Sequence, residues 1–188
     1  KFLICNECNF IWAFPICEKS SLNNFYNDYI TRVRLSRKKK MRLREKQYLQ
    51  DIHFITKTLK KGKILDVGCN GGFFLKKFTN KFIKFGIDID KKAIQHGKKN
   101  FFFKKNLKHG SFLNFNYKPN FFDAVILRGT IEHVLEPEKY IKKISKILAT
   151  NGKLFILATP NSDSVSAKIF KHDWNLFHPI EHISHFNK

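Results

Sequence analysis

The sequence predicts an α/β protein built on a doubly wound parallel sheet. Three observations carry this. Ile64, Leu65 and Val67 make a short apolar run that turns through Gly68-Cys69-Asn70-Gly71-Gly72 into Phe73, Phe74, Leu75 and Phe78 at helical spacing. A second apolar run, Phe82 to Asp88, ends in a carboxylate twenty residues past Gly68. Apolar runs then alternate with amphipathic stretches, the pattern of strand–helix–strand units. A strand that turns through glycines into a helix brings backbone N–H groups close to a ligand. A carboxylate at the end of the next strand can accept hydrogen bonds from a ribose diol. The local expectation is a nucleoside-containing cofactor.

The elements follow in order. Residues 1–19 hold Cys5-x-x-Cys8, half the ligand set of a tetrahedral zinc site. Residues 20–61 read as a helical segment. Ser20 or Ser21 caps a short helix to Tyr29. Nine basic side chains fall between residues 32 and 46, and Tyr48, Ile52, Ile55 and Leu59 then mark an amphipathic helix. Gly62 ends that helix before the first strand. Lys91 to Asn100 is a helix capped by Asp90. A weak third strand lies around Leu107 to Gly110, and Phe121 to Leu127 is a buried strand. Pro137 to Leu148 is a helix with proline in its first turn, stopped by Asn151-Gly152. Lys153 to Ala158 is the fifth strand.

The spacing of the turn decides among cofactors. The dinucleotide pattern Gly-x-Gly-x-x-Gly fails at Asn70 and Phe73, and no Gly-Lys-Ser/Thr closes a phosphate loop. Asp66-Val-Gly68-Cys-Asn70-Gly-Gly72 fits acid-x-Gly-x-Gly-x-Gly, with Asn70 at the central position. Asn is the non-glycine residue that best tolerates a left-handed backbone. This stretch resembles motif I of the class I S-adenosylmethionine-dependent methyltransferases. The resemblance runs from about Gly62 to Phe186. FDAV and RGTIEHVLEP look like the fourth strand and following loop of the ubiquinone-biosynthesis-like branch. KILATNGKLFILATPN and HDWNLFHPIEHISHF resemble its later segments.

The resemblance implies a Rossmann-like methyltransferase sheet over residues 62–188, truncated before its last strands, with S-adenosyl-L-methionine as cofactor. It implies that Asp66 and the turn backbone at Gly68, Cys69, Asn70 and Gly72 meet the methionine end. Asp88 would take the ribose and Ile89 would pack on adenine. Leu127 and Arg128 would pass the methionine moiety. An acidic residue often follows the third strand, but Ser111 and Phe112 stand there. His133 and His182 are the candidate catalytic bases. The Glu132-His133 pair is also a candidate divalent metal site, as in some members of that branch. Cys5 and Cys8 resemble the second knuckle of an amino-terminal zinc ribbon found on some sugar-modifying methyltransferases.

The formal net charge of +21 points to nucleic acid or an anionic surface. Lys, Asn, Phe and Ile are enriched together, and all four have A/T-rich codons, so compositional drift over a solvated surface competes with that reading. No stretch approaches the ~20 apolar residues of a membrane span. The four cysteines, Cys5, Cys8, Cys17 and Cys69, make no disulfide framework, which fits a reducing, cytoplasmic setting. The expected partner is a small-molecule methyl acceptor (sugar, quinone-like or lipid-linked) methylated on oxygen or carbon. An RNA methyltransferase and a non-catalytic cofactor-binding protein are the alternatives. Arg128-Gly129-Thr130-Ile131 stands where base-methylating enzymes carry Asn/Asp-Pro-Pro-aromatic, which argues against base methylation.

Overall fold

A computed structural model describes residues 1–16, 18, 20–21 and 38–187, with side chains from Leu43 in the first long helix. Cys17, most of the expected helix at 20–29 and the first part of the basic run lie outside the described residues.

Five strands form one parallel sheet. They are β3 (Gly62–Val67), β4 (Phe82–Asp88), β5 (Leu107–His109), β6 (Phe122–Arg128) and β7 (Leu148–Leu157), in the spatial order β5-β4-β3-β6-β7. Each central strand is apolar on both faces because helices cover both. On one face Ile64, Ala124, Ile126 and Phe155 pack with Tyr48 and Ile55 of α1 (Lys38–Thr58) and Ile94 of α2 (Lys91–Asn100). On the other, Leu65, Val67, Val125 and Leu127 pack with Ile144 and Ile147 of α3 (Pro137–Ile147). Strand order reverses between β3 and β6. The loops leaving these two strands therefore open a crevice at the carboxyl edge, where ligands bind in such sheets.

Local chemistry accounts for the boundaries. The Asp90 carboxylate accepts the Ala93 N–H at 2.9 Å and caps α2. Gly97 of α2 lies against the turn after β3: a Cβ there would come within 2.4 Å of the Gly71 carbonyl oxygen. Two sequence expectations change. Phe73 to Phe78 does not form an α-helix; only Leu75–Lys77 makes a single 3-10 turn. Phe73 packs edge-on to Phe101 while Phe74 and Phe78 pack on each other, so the aromatic rings serve two separate contacts. The fifth strand begins at Leu148, not Lys153. Leu148 pairs with Phe122 ahead of a register shift, and Asn151 takes φ 64° inside it.

A second, antiparallel sheet joins the two ends of the chain. Its strands are β1 (Phe2–Ile4), β2 (Ile11–Ala13) and β8 (Ser184–His185), in the order β1-β2-β8. The amino-terminal hairpin is thus built onto the His-rich segment. A short helix, α4 (Val165–Phe170), is capped by Ser164. No helix among the described residues is long and apolar enough to cross a membrane.

Candidate functional site

The turn after β3 uses its own N–H groups. Gly68 and Cys69 donate to the Ile87 carbonyl at 2.9 and 3.1 Å, and Gly72 donates to the Cys69 carbonyl at 2.9 Å. Asn70 N–H donates to the Asp88 carboxylate at 2.6 Å. The N–H groups of Gly68, Cys69 and Gly72 are thus engaged within the protein. With these donors engaged and no α-helix behind them, the turn is a poor phosphate cradle. It suits a ligand that brings donors of its own. Asn70 has φ 51° and is 7% exposed, and its Oδ1 has no hydrogen-bond partner among the described residues. Asp66, 2% exposed, adds a carboxylate at the end of β3. An acceptor-rich turn of this kind fits the cationic methionine end of S-adenosylmethionine.

Asp88 ends β4 half-exposed. Its second oxygen accepts the Asp90 N–H at 2.8 Å, so the carboxylate ties the two loops together. Ile89 beside it is 39% exposed. Ser111 lies at the rim, where its side chain meets that of Tyr140. Phe112 faces inward: it is 2% exposed and packs on Tyr117 and Tyr140. Its ring is core, because the 3-10 turn after Ser111 directs it under the sheet edge. Leu127 is likewise core and has only backbone to offer, while Arg128 turns its side chain to α1. Cys69 is buried, its Sγ 3.3 Å from the Asn70 carbonyl.

The loop after β6 and the His-rich segment come together. Ligand atoms of Glu132, His133 and His182 all lie within 4.8 Å of one another. Ring centroids of His133 and His182 are 4.9 Å apart. His133 Nδ1 faces the Glu181 carbonyl at 2.5 Å, and His182 Nδ1 faces the Leu176 carbonyl at 2.7 Å. A carbonyl can only accept, so both Nδ1 atoms carry hydrogen and both Nε2 atoms keep lone pairs. Glu132 is 1% exposed and accepts the Thr159 hydroxyl at 3.0 Å. Burial raises the Glu132 pKa and lowers those of His133 and His182. Ile183 N–H donates to the Glu132 carbonyl at 2.8 Å and pins the segment in place. His178 remains exposed outside the cluster, since residues 178–182 form a turn and not a helix. Two imidazoles and a carboxylate are a donor set suited to zinc, manganese or iron.

The sequence named His133 and His182 as candidate bases and Glu132-His133 as a candidate metal pair, without joining His182 to that pair and without Thr159, Tyr140 or Asp51. The chain separation of 132–133 from 182 hides the first; nothing in the local pattern marks the others. Beside Thr159, a groove of about 560 Å³ is lined by Phe10, Ile131, Pro137, Ile141, Ile156 and Phe186.

Residues 39–188 match the family model of a methyltransferase domain. The ubiquinone biosynthesis O-methyltransferase of Pelagibacter ubique (strain HTCC1062) is 36% identical over 110 residues, 53% of this chain and 43% of that protein. Its namesake in Coxiella burnetii (strain RSA 493 / Nine Mile phase I) is 29% identical over 109 residues, 52% and 44% of the two chains. The chain spans about half the length of the curated relatives it matches. Among solved structures, a SAM-dependent methyltransferase of Thermotoga maritima superposes with TM-score 0.58 at 19% identity, covering 75% of this chain and 64% of that one. The YcgJ protein of Bacillus subtilis does so at TM-score 0.58 and 16% identity, covering 75% and 62%. The sheet order, the acceptor-rich turn and the family match agree: the chain belongs to the S-adenosylmethionine-dependent methyltransferases of the methyltransferase-domain family.

Proposed function

We propose that the chain transfers a methyl group from S-adenosylmethionine to a hydroxyl oxygen of a small-molecule acceptor, with Glu132, His133 and His182 at the acceptor end of the crevice. The observation that carries this reading is that one ligand atom each of Glu132, His133 and His182 lies within 4.8 Å of the others, with Glu132 buried. The O-methyltransferase relatives support oxygen as the target. The apolar groove beside Thr159 suits an acceptor with an apolar body, such as a phenolic or quinol ring.

In this reading the acceptor oxygen attacks the methyl carbon as the carbon–sulfur bond breaks, and the bond pair stays on sulfur as the thioether product. The acceptor proton goes to His133 Nε2. Burial holds this imidazole neutral near pH 7, so it can accept a proton, and the Glu181 carbonyl then stabilises the charged ring. His182 and Glu132 hold the oxygen in line, and positioning contributes several kcal/mol, with ~7–11 as a ceiling. Were a divalent cation held by Glu132, His133 and His182 instead, His133 Nε2 would be a ligand and not the base, and the cation would lower the pKa of a bound hydroxyl.

The test is transfer of isotopically labelled methyl from S-adenosylmethionine to a panel of phenolic, quinol and sugar acceptors. Transfer lost in His133→Ala and in His182→Ala, with cofactor binding kept in both, is the expected result. Full transfer in both variants would overturn the site assignment. Transfer only to RNA, weakening steeply with salt, would overturn the acceptor class.

A further inference from the structure

The two edges of the parallel sheet differ in charge. Because β3, β4, β5 and β6 run the same way, the segments that enter them share one edge, and the crevice lies at the other. Lys60 and Lys61 precede β3, Lys81 precedes β4, Lys104 and Lys105 precede β5, and Lys118 precedes β6; all are exposed. Lys98 and Lys99 in the last turn of α2 add to them. None of these entering segments holds Asp or Glu. Asp123, the second residue of β6, is the acid at this edge, and its carboxylate accepts the Lys63 N–H at 2.7 Å. Other acids gather at the crevice edge: Asp66 and Asp88 near the ends of their strands, Asp90 and Glu132 just beyond. Compositional drift accounts for many lysines but not for their separation from the acids.

The same basic edge exposes apolar side chains. Phe102, between α2 and β5, is fully exposed, and Ile83, the second residue of β4, is 51% exposed. Packed neighbours hold the Phe102 segment in place. Phe101 and Phe103 stack with centroids 5.5 Å apart, Lys76 lies 5.2 Å over Phe101, and Asn106 Nδ2 donates to the Lys84 carbonyl at 3.1 Å. Lys98, Lys99, Lys104 and Lys105 flank the exposed ring along the chain.

We propose that this amino-terminal edge of the sheet docks on an anionic lipid surface, with Phe102 entering the headgroup layer and the flanking lysines meeting lipid phosphates. Surfaces that lie on a membrane pair exposed phenyl rings with lysine in this way. Lysine stems follow the apolar boundary while their ammonium groups stay among the headgroups. Anionic headgroups attract basic clusters without a fixed geometry, which suits lysine, a flexible point charge. RNA fits less well. The entering segments hold no arginine for bidentate phosphate contacts, and Phe102 is a single ring where base-stacking surfaces carry several. Docking by this edge leaves the crevice facing water, so the surface does not depend on which acceptor is methylated.

The experiment is sedimentation of the full chain with vesicles of phosphatidylcholine alone and of phosphatidylcholine mixed with phosphatidylglycerol. Partition is expected on the mixed vesicles only, falling as salt is raised. Lys104→Glu combined with Lys105→Glu is expected to lower the partition coefficient by about tenfold or more. Phe102→Ser is expected to lower it by about fivefold or more. Lys91→Glu combined with Lys92→Glu makes the same change of net charge in the first turn of α2, at the crevice edge, and is expected to alter partition by less than about threefold. All these side chains are exposed, and circular dichroism checks that the variants fold. Absence of partition on the mixed vesicles would overturn the proposal. So would an equal loss in the two lysine pairs, which would reduce the effect to net charge. Capture by single-stranded RNA that is tighter than by vesicles at the same salt, and lost in Phe102→Ser, would overturn it in favour of nucleic acid.

Discussion

Arg128 donates from Nε to the Asp51 carboxylate at 2.7 Å while its guanidinium lies 4.5 Å over the Tyr48 ring and 5.5 Å from that of Phe74. The ion pair joins the end of β6 to α1. Its side chains are 11% and 22% exposed, so water screens it only in part. Asp51→Asn keeps the shape and removes the charge, leaving the guanidinium at most a neutral amide oxygen beside its ring contacts. We expect a loss of about 1–2 kcal/mol in stability by urea unfolding. A loss below about 0.3 kcal/mol would mean that solvent already carries the pair.

Asp88 has two tasks. It accepts the Asn70 and Asp90 N–H groups, and it ends β4 at the carboxyl edge, where the ribose role is proposed. A charge-assisted hydrogen bond contributes roughly 1.5–3 kcal/mol, so Asp88→Ala should weaken S-adenosylmethionine binding by about one to two orders of magnitude. Calorimetry reads this directly. Unchanged affinity in a folded Asp88→Ala protein removes the ribose role and leaves the carboxylate as a loop tie.

Asn70→Gly separates backbone from side chain. Glycine adopts φ 51° without strain, so the turn survives and stability changes by less than about 1 kcal/mol. The substitution deletes the unpartnered Oδ1. Cofactor affinity should fall by about three- to tenfold if that oxygen meets the methionine end. By contrast, Gly68→Ala should destabilise the turn itself. Gly68 has φ +77°, and a Cβ would come within 2.5 Å of the Thr130 hydroxyl oxygen that donates to the Val67 carbonyl.

The limits of sequence reading follow from the same residues. The β4 boundaries, Phe82–Asp88, and those of α2, Lys91–Asn100, coincide with the expectation, because an apolar run ending in a carboxylate and an Asp cap are local signals. Asn70 at positive φ is local too. The failed helix at Phe73 to Phe78 shows the weakness of periodicity among aromatics: the same spacing serves rings that pack in different directions. The union of Glu132 and His133 with His182 is tertiary, since it depends on Ile183 N–H reaching the Glu132 carbonyl across fifty residues of chain. The engagement of the turn N–H groups by Ile87 is equally invisible until β3 and β4 are paired.

His185 makes stability depend on pH. It is fully buried, neither ring nitrogen has a hydrogen-bond partner among the described residues, and His182 adds its charge when protonated, 5.9 Å away between centroids. Burial pushes its pKa down from 6.5 to about 4. The unfolded chain therefore binds the proton first. The contribution is complete above pH ~6.5 and is lost as pH falls toward 4, a loss of roughly 2–3 kcal/mol. Unfolding should be followed in chelator, so that metal at the neighbouring site does not contribute. His185→Phe keeps a ring among Phe2, Trp174 and Phe177 and should flatten the acid limb. An equally steep acid limb in that variant would assign the loss to His133 and His182, whose pKa values burial also lowers.

Thr159 acts on the cluster through Glu132. Its hydroxyl donates to Oε2 at 3.0 Å and is one of the groups that lower this buried carboxyl's pKa against the larger upward push of burial. Thr159→Val is nearly isosteric and removes only that donor, so the carboxylate pKa rises further and proton competes better with a cation. Loss of an outer-shell partner typically weakens metal affinity about 10–100-fold. Manganese binding followed by electron paramagnetic resonance should show such a drop in Thr159→Val, a larger one in His182→Ala, and recovery of the Thr159→Val deficit as pH is raised. A cation that binds wild type and both variants alike would lie elsewhere, and His133 and His182 would then act on the acceptor as base and positioning group without a metal.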